Sequence, residues 1–415
     1  MNRLGLSVLV LLLAASSFAG SMIGLDALGK EDVVGATATT AGRGFAGGAK
    51  TGDGLNLSNP SNLAFEEKVS FSVTLEYELT EADDGDYSYS SGSLSIPSIY
   101  LAFPLGSFGA VAFGISQRYG SNLDVESSDS SLTQDVDLEY EGSVFEMVPV
   151  YAIRLPFYRR VSLGAAMHIV SGSNKRSLTL GPDNSAISDE DSWATNSTTV
   201  TEIAEGDWET ESFAYYTLSA MYRGTMASMY FAFTTPYTLK NSVDYNFRFS
   251  QVDTLESYNE KHKIKVPITL STGVDYRLFQ NHHIMLDFTL RPWDDDIRNI
   301  SGAWNMPDTT ETQTEFLVAL GYQKDGSKLF YDSYLKRMQF RLGAWYREWY
   351  IKDVCEFGGA LGVGFPLGSR GTMVHLAVQG GMRDAGSSGE WDEIFLGFRM
   401  TLMGVGSWGQ QKRTY

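Results

Sequence analysis

Basic residues, cysteine and long apolar runs are all scarce in this sequence. Its 415 residues include 32 Lys and Arg against 50 Asp and Glu, for a formal net charge of -18. That balance excludes the basic surface that nucleic-acid binding requires. The lone Cys355 cannot form an internal disulfide, which excludes a disulfide framework. After the first apolar run, no stretch approaches the roughly 20 apolar residues of a membrane-spanning helix.

The first apolar run has the features of an export signal. Arg3 gives a short positive region, residues 4–15 are apolar, and residues 17–19 place small side chains at a cleavage position. The run is too short for a spanning helix. We therefore predict a signal peptide over residues 1–19, so that the mature chain is either a secreted soluble protein or a transmembrane β-barrel.

From Val69 onward, apolar and polar residues alternate with the period of a β-strand. Residues 69–79 read V-S-F-S-V-T-L-E-Y-E-L, for example. About fourteen such strands are predicted, an even number as bacterial barrels have. Their spans are 69–79, 94–105, 108–118, 143–155, 159–171, 211–223, 225–235, 262–277, 281–292, 314–324, 336–348, 357–366, 371–383 and 391–403.

A soluble sandwich would alternate in the same way, but three features favour a membrane barrel. The strands are long, aromatic residues gather at their ends, and short connections alternate with long polar ones. Short connections are predicted near residues 106, 157, 224, 279 and 368. Long ones are predicted at 80–93, 119–142, 172–210, 237–261, 293–313, 324–335 and 383–390.

The segment before the first strand has a different composition. Residues 42–65 are rich in Gly, Asn and Ser. A fourteen-stranded barrel leaves a lumen that side chains alone do not close, and this segment is the one available to fill it. The predicted fold is all-β: a transmembrane antiparallel β-barrel of about 14 strands with an N-terminal plug or hatch in the lumen. The predicted order is signal peptide 1–19, plug 20–68, barrel 69–403 and tail 404–415.

Two stretches carry a resemblance to the FadL-type outer-membrane transporters, in their Bacteroidetes-type variant. The first resembles the hatch signature of that family, with Ser61 where Ala is usual: Gly42, Gly44, Gly47, Gly48, Ala49, Asp53 and Asn59-Pro60-Ser61-Asn62-Leu63-Ala64. The second resembles the final three strands and basic tail: residues 357–367, 374–377, 380–383 and 393–398, Trp408 and Lys412-Arg413.

This resemblance implies passive uptake of long-chain fatty acids or other hydrophobic small molecules. The implied hatch or gate consists of Gly47, Gly48, Asp53, Asn59 and Pro60. In that family the ligand leaves sideways through a kink in the third strand, and Gly109 and Gly114 would permit such a kink here. The alternative interpretation is that both are ordinary barrel glycines.

Five cations are predicted to face the lumen, because each would cost about 2–4 kcal/mol on the lipid side. They are Lys263, Lys265, Arg341, Arg347 and Arg399. They either hold a carboxylate headgroup in transit or pair with inward acids. The candidate acids are Glu76, Glu78, Asp275 and Asp287.

Motifs for other functions are missing. No Gly-x-Ser-x-Gly elbow or set of metal ligands stands out, so we predict no enzyme, no cofactor and no metal. Acidic runs at 189–191 and 294–296 leave calcium open, against solvated loops. The expected partners are outer-membrane lipid and a hydrophobic ligand, for a monomer. The alternative is a barrel resembling PorV that serves type 9 protein secretion or surface attachment.

Overall fold

Each long alternating segment forms a strand, and pairing of the last strand with the first closes a fourteen-stranded antiparallel barrel. The computed structural model describes residues 21, 30–31, 36–52, 56–83, 88–120, 123–127, 134–182, 202–249, 252–293, 312–327, 329, 331–367, 371–386 and 392–406. The predicted all-β antiparallel barrel and its strand number are therefore confirmed.

The strands of the barrel wall are β2 (Val69–Asp83), β3 (Ser88–Pro104), β4 (Ala110–Gly120), β6 (Gln134–Arg154), β7 (Val161–Pro182), β8 (Glu202–Arg223), β9 (Ala227–Thr234), β12 (Thr269–Phe279), β13 (His282–Arg291), β14 (Glu315–Lys324), β15 (Gln339–Glu348), β16 (Cys355–Leu367), β17 (Thr372–Asp384) and β18 (Asp392–Gly406). Four more complete the set: β1 (Lys30–Glu31), β5 (Leu123–Ser127), β10 (Tyr237–Phe249) and β11 (Val252–Val266). β5 pairs with β6 beyond β4, and β10 pairs with β8 and with β11 beyond β9.

The polarity of the two faces is that of a membrane barrel. On β18, outward Ile394 and Leu402 are 57% and 43% exposed, whereas inward Glu393 and Arg399 are at most 3% exposed. Leu, Phe and Met on the outside with charge on the inside is the reverse of a water-soluble sheet. Among the described residues, no helix has the length and hydrophobicity to cross a membrane.

One end of the barrel carries the short turns, and one connection lies at an unexpected end. Residues 325–338, which include α2 (Tyr334–Arg337), join β14 to β15 at the short-turn end. The sequence had placed a long loop at 324–335 among those of the opposite end. That prediction is wrong because residues 349–354 make the next connection at the opposite end, and strands alternate in direction.

The N-terminal residues 36–52 and 56–65, hereafter the lumenal segment, lie inside the barrel. Its helix α1 (Ala38–Ala41) is capped by Thr37 and contacts β16, β17 and β18. Its 3-10 helix, Pro60–Phe65, contacts β4, β6, β7 and β8. The segment therefore touches the wall on opposite sides of the barrel, and its side chains are almost all buried.

Glycines of the wall allow the backbone of the lumenal segment to approach closely. A Cβ at Gly343 would lie 1.9 Å from the carbonyl carbon of Arg43. At Gly164 it would lie 2.3 Å from the amide nitrogen of Ser61. Both distances are far below contact, so only glycine fits at these two wall positions.

Candidate functional site

The wall has an opening between β3 and β4. Hydrogen-bonded pairing of these strands ends at Ser98 and Ser116. Beyond that point β4 pairs on this side with β1, where Glu31 lies opposite Tyr119. Residues 88–97 of β3 pair with β2 only, as far as the described residues extend. The third wall strand therefore turns inward and leaves a stretch of its neighbour without a ladder partner.

Gly109 and Gly114, the residues proposed for a kink, lie before this point. Gly109 has a φ of 97° in the turn between β3 and β4. Gly114 pairs with Tyr100 in the regular ladder, where a Cβ would lie 2.6 Å from the Tyr100 ring. β4 departs from β3 after Ser116, at Gln117–Gly120. A role of the two glycines in the opening stays a prediction.

An aromatic cluster fills the barrel at the end opposite the short turns, and we call it the outer cluster. It consists of Tyr119, Val144, Val170, Tyr215, Leu239, Ile264, Val266, Trp293, Trp349, Tyr350, Ile351 and Val354. Phe213 and Tyr237 pack against it, and the rings of Tyr215 and Tyr237 stack with centroids 4.2 Å apart. Because Tyr119 belongs to the inward-turned part of β4, the cluster reaches the wall opening directly.

A network of buried charges adjoins the outer cluster. Glu31 receives hydrogen bonds from Arg291, at 2.7 and 2.9 Å, and from Arg347 at 3.2 Å, and it pairs with Arg118. Glu315 bridges the same two arginines, at 2.9 Å from Arg291 and 2.7 Å from Arg347. Burial alone would raise the pKa of Glu31, but the three guanidinium groups outweigh it and hold that pKa well below its usual range.

A small cavity lies between this network and the lumenal segment. Its volume is about 90 Å³, and its walls include Leu57 and Ser58 of the lumenal segment. Hydroxyl groups from β8, β9, β12 and β13 line much of the rest: Thr217, Thr234, Thr269, Ser271 and Thr289. Most of the surface that the surrounding side chains present to the cavity is nevertheless apolar.

A second buried chain leads from Arg118 to this cavity. Glu146 lies 3.6 Å from Arg118 and accepts hydrogen bonds from His168, at 3.0 Å, and from Tyr215. The other ring nitrogen of His168 is 2.9 Å from the Thr217 hydroxyl. Every member of the chain thus has a partner in the wall, which stabilises Glu146 in the barrel interior.

The predicted hatch residues sit at the contact between the lumenal segment and the wall. The amide of Gly48 donates to Asp287 at 2.7 Å, and its carbonyl accepts from the Asn59 side chain at 2.8 Å. Gly47 adopts a φ of 107°, and Pro60 begins the 3-10 helix. Asp53 lies outside the described residues. A gating role for these residues stays a prediction.

Lys50 connects the lumenal segment to the wall by a salt bridge near the short-turn end. Its ammonium group lies 3.0 Å from Asp325, which follows β14. His283 also reaches Asp325 at 3.4 Å and Asp275 at 2.8 Å. Burial would raise the pKa of Asp325, but His283 and Lys50 outweigh that effect and hold the pKa below its usual range.

The predicted lumenal cations divide into two groups. Arg341, Arg347 and Arg399 are buried and face inward, and Arg399 pairs with Glu76 at 2.7 Å. Lys265 is exposed, between the buried side chains of Ile264 and Val266. The prediction that Lys265 faces the lumen is therefore wrong. The side chain of Lys263 lies outside the described part of the structure.

The error at Lys265 has a local cause. The predicted strand 262–277 is broken at residues 267–268, between β11 and β12. Ile264 and Val266 face inward before the break, whereas Gly273 and Asp275 face inward after it, so the alternation changes phase. The acidic runs at 189–191 and 294–296, considered for calcium, lie outside the described residues.

Sequence reasoning missed most of the charge network. Glu31 lies in a region with no periodic signal, so nothing in the sequence marked it. Arg118, Arg291 and Glu315 lie at strand ends in alternating segments, and tracking charges at the inward phase would have identified them. A second missed group contains Arg383, which pairs with Glu78, Glu356 and Glu393 at 3.0 Å each.

Comparisons with known proteins agree with this architecture. The sequence model of the family described as BamG matches residues 28–415. The search of curated proteins returns no match. Among solved structures, the Pseudomonas aeruginosa FadL homologue aligns with a TM-score of 0.61 at 12% identity, over 90% of this chain and 98% of that one.

Two toluene transporters have the same fold. The P. putida toluene transporter TodX gives a TM-score of 0.62 at 12% identity, over 91% of this chain and 100% of the other. The Ralstonia pickettii toluene transporter TbuX gives 0.54 at 13% identity, over 90% and 99%. At such identities the similarity establishes the fold.

Proposed function

The chain belongs to the BamG family and has the fold of the FadL-type barrels, and we propose that it is an outer-membrane channel for the passive uptake of hydrophobic small molecules. The observation that carries this proposal is the wall opening after Ser98 and Ser116. An opening in the wall connects the lumen with the hydrocarbon of the bilayer, where a hydrophobic molecule is most stable. The names of the similar structures, toluene transporters among them, support the same class of ligand.

The arrangement of apolar and charged groups supports a sideways route. The outer cluster offers an apolar binding surface at the loop end. Glu31, Arg118, Arg291, Glu315 and Arg347 then oppose an axial route, since an apolar molecule would have to displace buried ion pairs. Tyr119 links the cluster to the wall opening, so a ligand can leave through the wall without crossing the charges.

Fatty acids are the finer form of the proposal, and they require an acceptor for the carboxylate. Of the five cations predicted from the sequence for that role, Arg341, Arg347 and Arg399 are buried and face inward. Arg347 and Arg399 already pair with Glu315 and Glu76. A fatty acid would therefore have to replace an existing partner, and uncharged compounds such as toluene need no such exchange.

Uptake by proteoliposomes tests the proposal. The full chain should admit labelled toluene faster than protein-free vesicles do. Tyr119→Asp places a charge where the outer cluster meets the opening and should reduce the rate by about tenfold. Phe108→Asp, in a short turn away from the route, is the matched control and should keep the rate, with heat-modifiable gel migration confirming folding of both.

Oleate in the same assay distinguishes a channel for uncharged compounds alone from one that also carries fatty acids. Uptake of toluene without oleate would restrict the class to uncharged compounds. Rates equal to those of empty vesicles for both would contradict the channel proposal.

An interaction role is the second candidate, as in the resemblance to PorV. The observation in its favour is that the lumenal segment and the charge network occupy the barrel axis in the described residues. A barrel that serves secretion should co-purify with secreted proteins that carry C-terminal sorting domains. Cells from which the gene for the barrel has been deleted should then take up toluene at an unchanged rate.

A further inference from the structure

The short-turn end of the barrel has a basic sector, although the chain as a whole is strongly acidic. Five exposed arginines lie in or beside three connections: Arg154, Arg159, Arg160, Arg223 and Arg277. Residues 154–161, 223–227 and 277–282 contain no Asp or Glu. None of the five arginines forms an ion pair with a described residue. In a protein of net charge -18, such a concentration of positive charge is a local feature.

The three connections are neighbours in space. Strands β6, β7, β8, β9, β12 and β13 follow one another around the wall by direct pairing. Their short turns therefore form one continuous arc of the rim, which we call the basic sector. The turn at residues 105–109 lies outside this arc and has no charged residue.

Large apolar side chains stand among the arginines. Phe157 is 90% exposed and Phe279 is 70% exposed, and Met226 is more than half exposed. Arginine together with aromatic residues and methionine is the composition enriched in protein interfaces. An exposed mixture of arginine and large apolar side chains, with no acidic residue in its three turns, indicates a binding surface.

The orientation of two arginine side chains limits which partners can reach them. The Arg154 and Arg223 guanidinium groups lie 5.9 and 5.1 Å from the centroid of the Phe65 ring. Phe65 is the last residue of the lumenal segment and is buried in the barrel mouth. The two arginines therefore face the mouth. A partner must approach along the barrel axis, which lipids of the surrounding bilayer cannot do.

We propose that the basic sector is a docking surface for an acidic segment of a periplasmic protein. Short turns of outer-membrane barrels face the periplasm, so the surface is open to soluble partners. Guanidinium groups bind carboxylates through paired, charge-assisted hydrogen bonds, and the neighbouring apolar side chains add buried area. This role is independent of transport and does not rest on the proposed uptake.

A synthetic peptide tests the docking surface directly. The full chain in phosphatidylcholine nanodiscs is titrated with a fluorescein-labelled peptide of alternating Glu and Leu, and binding is followed by anisotropy. The acidic peptide should bind saturably, and more weakly as salt is raised. A matched peptide with Lys in place of Glu should not bind.

Two double variants give the matched comparison, since each removes two positive charges. Arg154→Gln/Arg223→Gln should weaken peptide binding by about tenfold. Lys265→Gln/Lys352→Gln, which changes exposed lysines away from the short turns, should leave it within about twofold. Equal losses in the two variants, or equal binding of the two peptides, would overturn the proposal. Toluene uptake by the arginine variant should be normal, which separates this result from the transport assay.

Two further measurements exclude other occupants. Nanodiscs with phosphatidylglycerol should leave the peptide affinity unchanged, whereas abolition of binding would assign the sector to lipid headgroups. In cells, a photo-crosslinking residue at Phe157 should give a discrete protein adduct, lost in the arginine variant. The same residue at Phe108 is the control, and equal adducts at both positions would contradict a surface confined to the basic sector.

Discussion

At the scale of single residues, glycines in the wall make room for the lumenal segment because they have no side chain. Gly343 and Gly164 leave room for the backbone of the lumenal segment at two separate points of the wall. The composition of the sequence showed many glycines, but period-two alternation does not distinguish a glycine that faces lipid from one that contacts another backbone. That distinction depends on the fold of a segment with no periodicity of its own.

We expect Gly343→Ala to displace the lumenal segment. The new Cβ would meet the backbone between Arg43 and Gly44, where neither side can yield easily, at a cost of about 1–3 kcal/mol. Thermal unfolding in detergent should begin at a lower temperature. Gly359→Ala is the control, because its Cβ would lie 3.7 Å from the nearest atom, an ordinary contact. Equal melting temperatures for the two variants would contradict the close approach.

At the scale of elements, the two-residue strand β1 joins the wall opening to the charge network. Its pairing with β4 places Glu31 among three arginines. The strand is too short for any pattern to reveal it. By contrast, the fourteen wall strands were predictable, because all but the eight-residue β9 repeat their alternation over ten or more residues. Where a strand breaks, as between β11 and β12, the alternation of inward and outward residues changes phase. The predicted inward orientation of Lys265 is wrong for this reason.

Acid should loosen the lumenal segment. Glu31 and Asp325 have pKa values below their usual ranges in the folded protein. Groups with lowered pKa values stabilise the fold above their unfolded pKa, about 4, and lose that contribution as the pH falls further. Limited proteolysis of residues 30–50 should therefore accelerate below about pH 4. Glu31→Gln should be cut faster at pH 7 and respond less to acid, while an unchanged pH profile would exclude Glu31 as the cause.

At the scale of the whole molecule, the strands close the barrel wall and the N-terminal segment fills its lumen. The wall closes through fifteen paired positions between β18 and β2, none of which involves the lumenal segment. The overall barrel was predictable because its lipid-facing and lumen-facing residues obey one rule throughout. The opening at β4 and the end at which residues 325–338 lie depend on neighbouring strands, which a single sequence pattern does not specify.

Deletion of residues 20–60 should leave a folded but leaky barrel. The wall strands keep their pairing without the segment, whereas the lumen loses most of its filling. In planar bilayers the deletion variant should show a larger, steadier conductance than the full chain. Heat-modifiable gel migration is the control for folding. A variant that failed to assemble in the membrane would show that the segment is a folding element, and would contradict a gate.

The enclosure of the lumenal segment also has a consequence for the order of assembly. Its 3-10 helix contacts β6 to β8, and its helix α1 contacts β16 to β18, the last strands to be synthesised. A closed wall offers no route by which folded structure of this size could enter afterwards. The lumenal segment must therefore remain only partly bound until the last strands surround it and β18 pairs with β2. The N-terminal segment is therefore synthesised first but reaches its final position last.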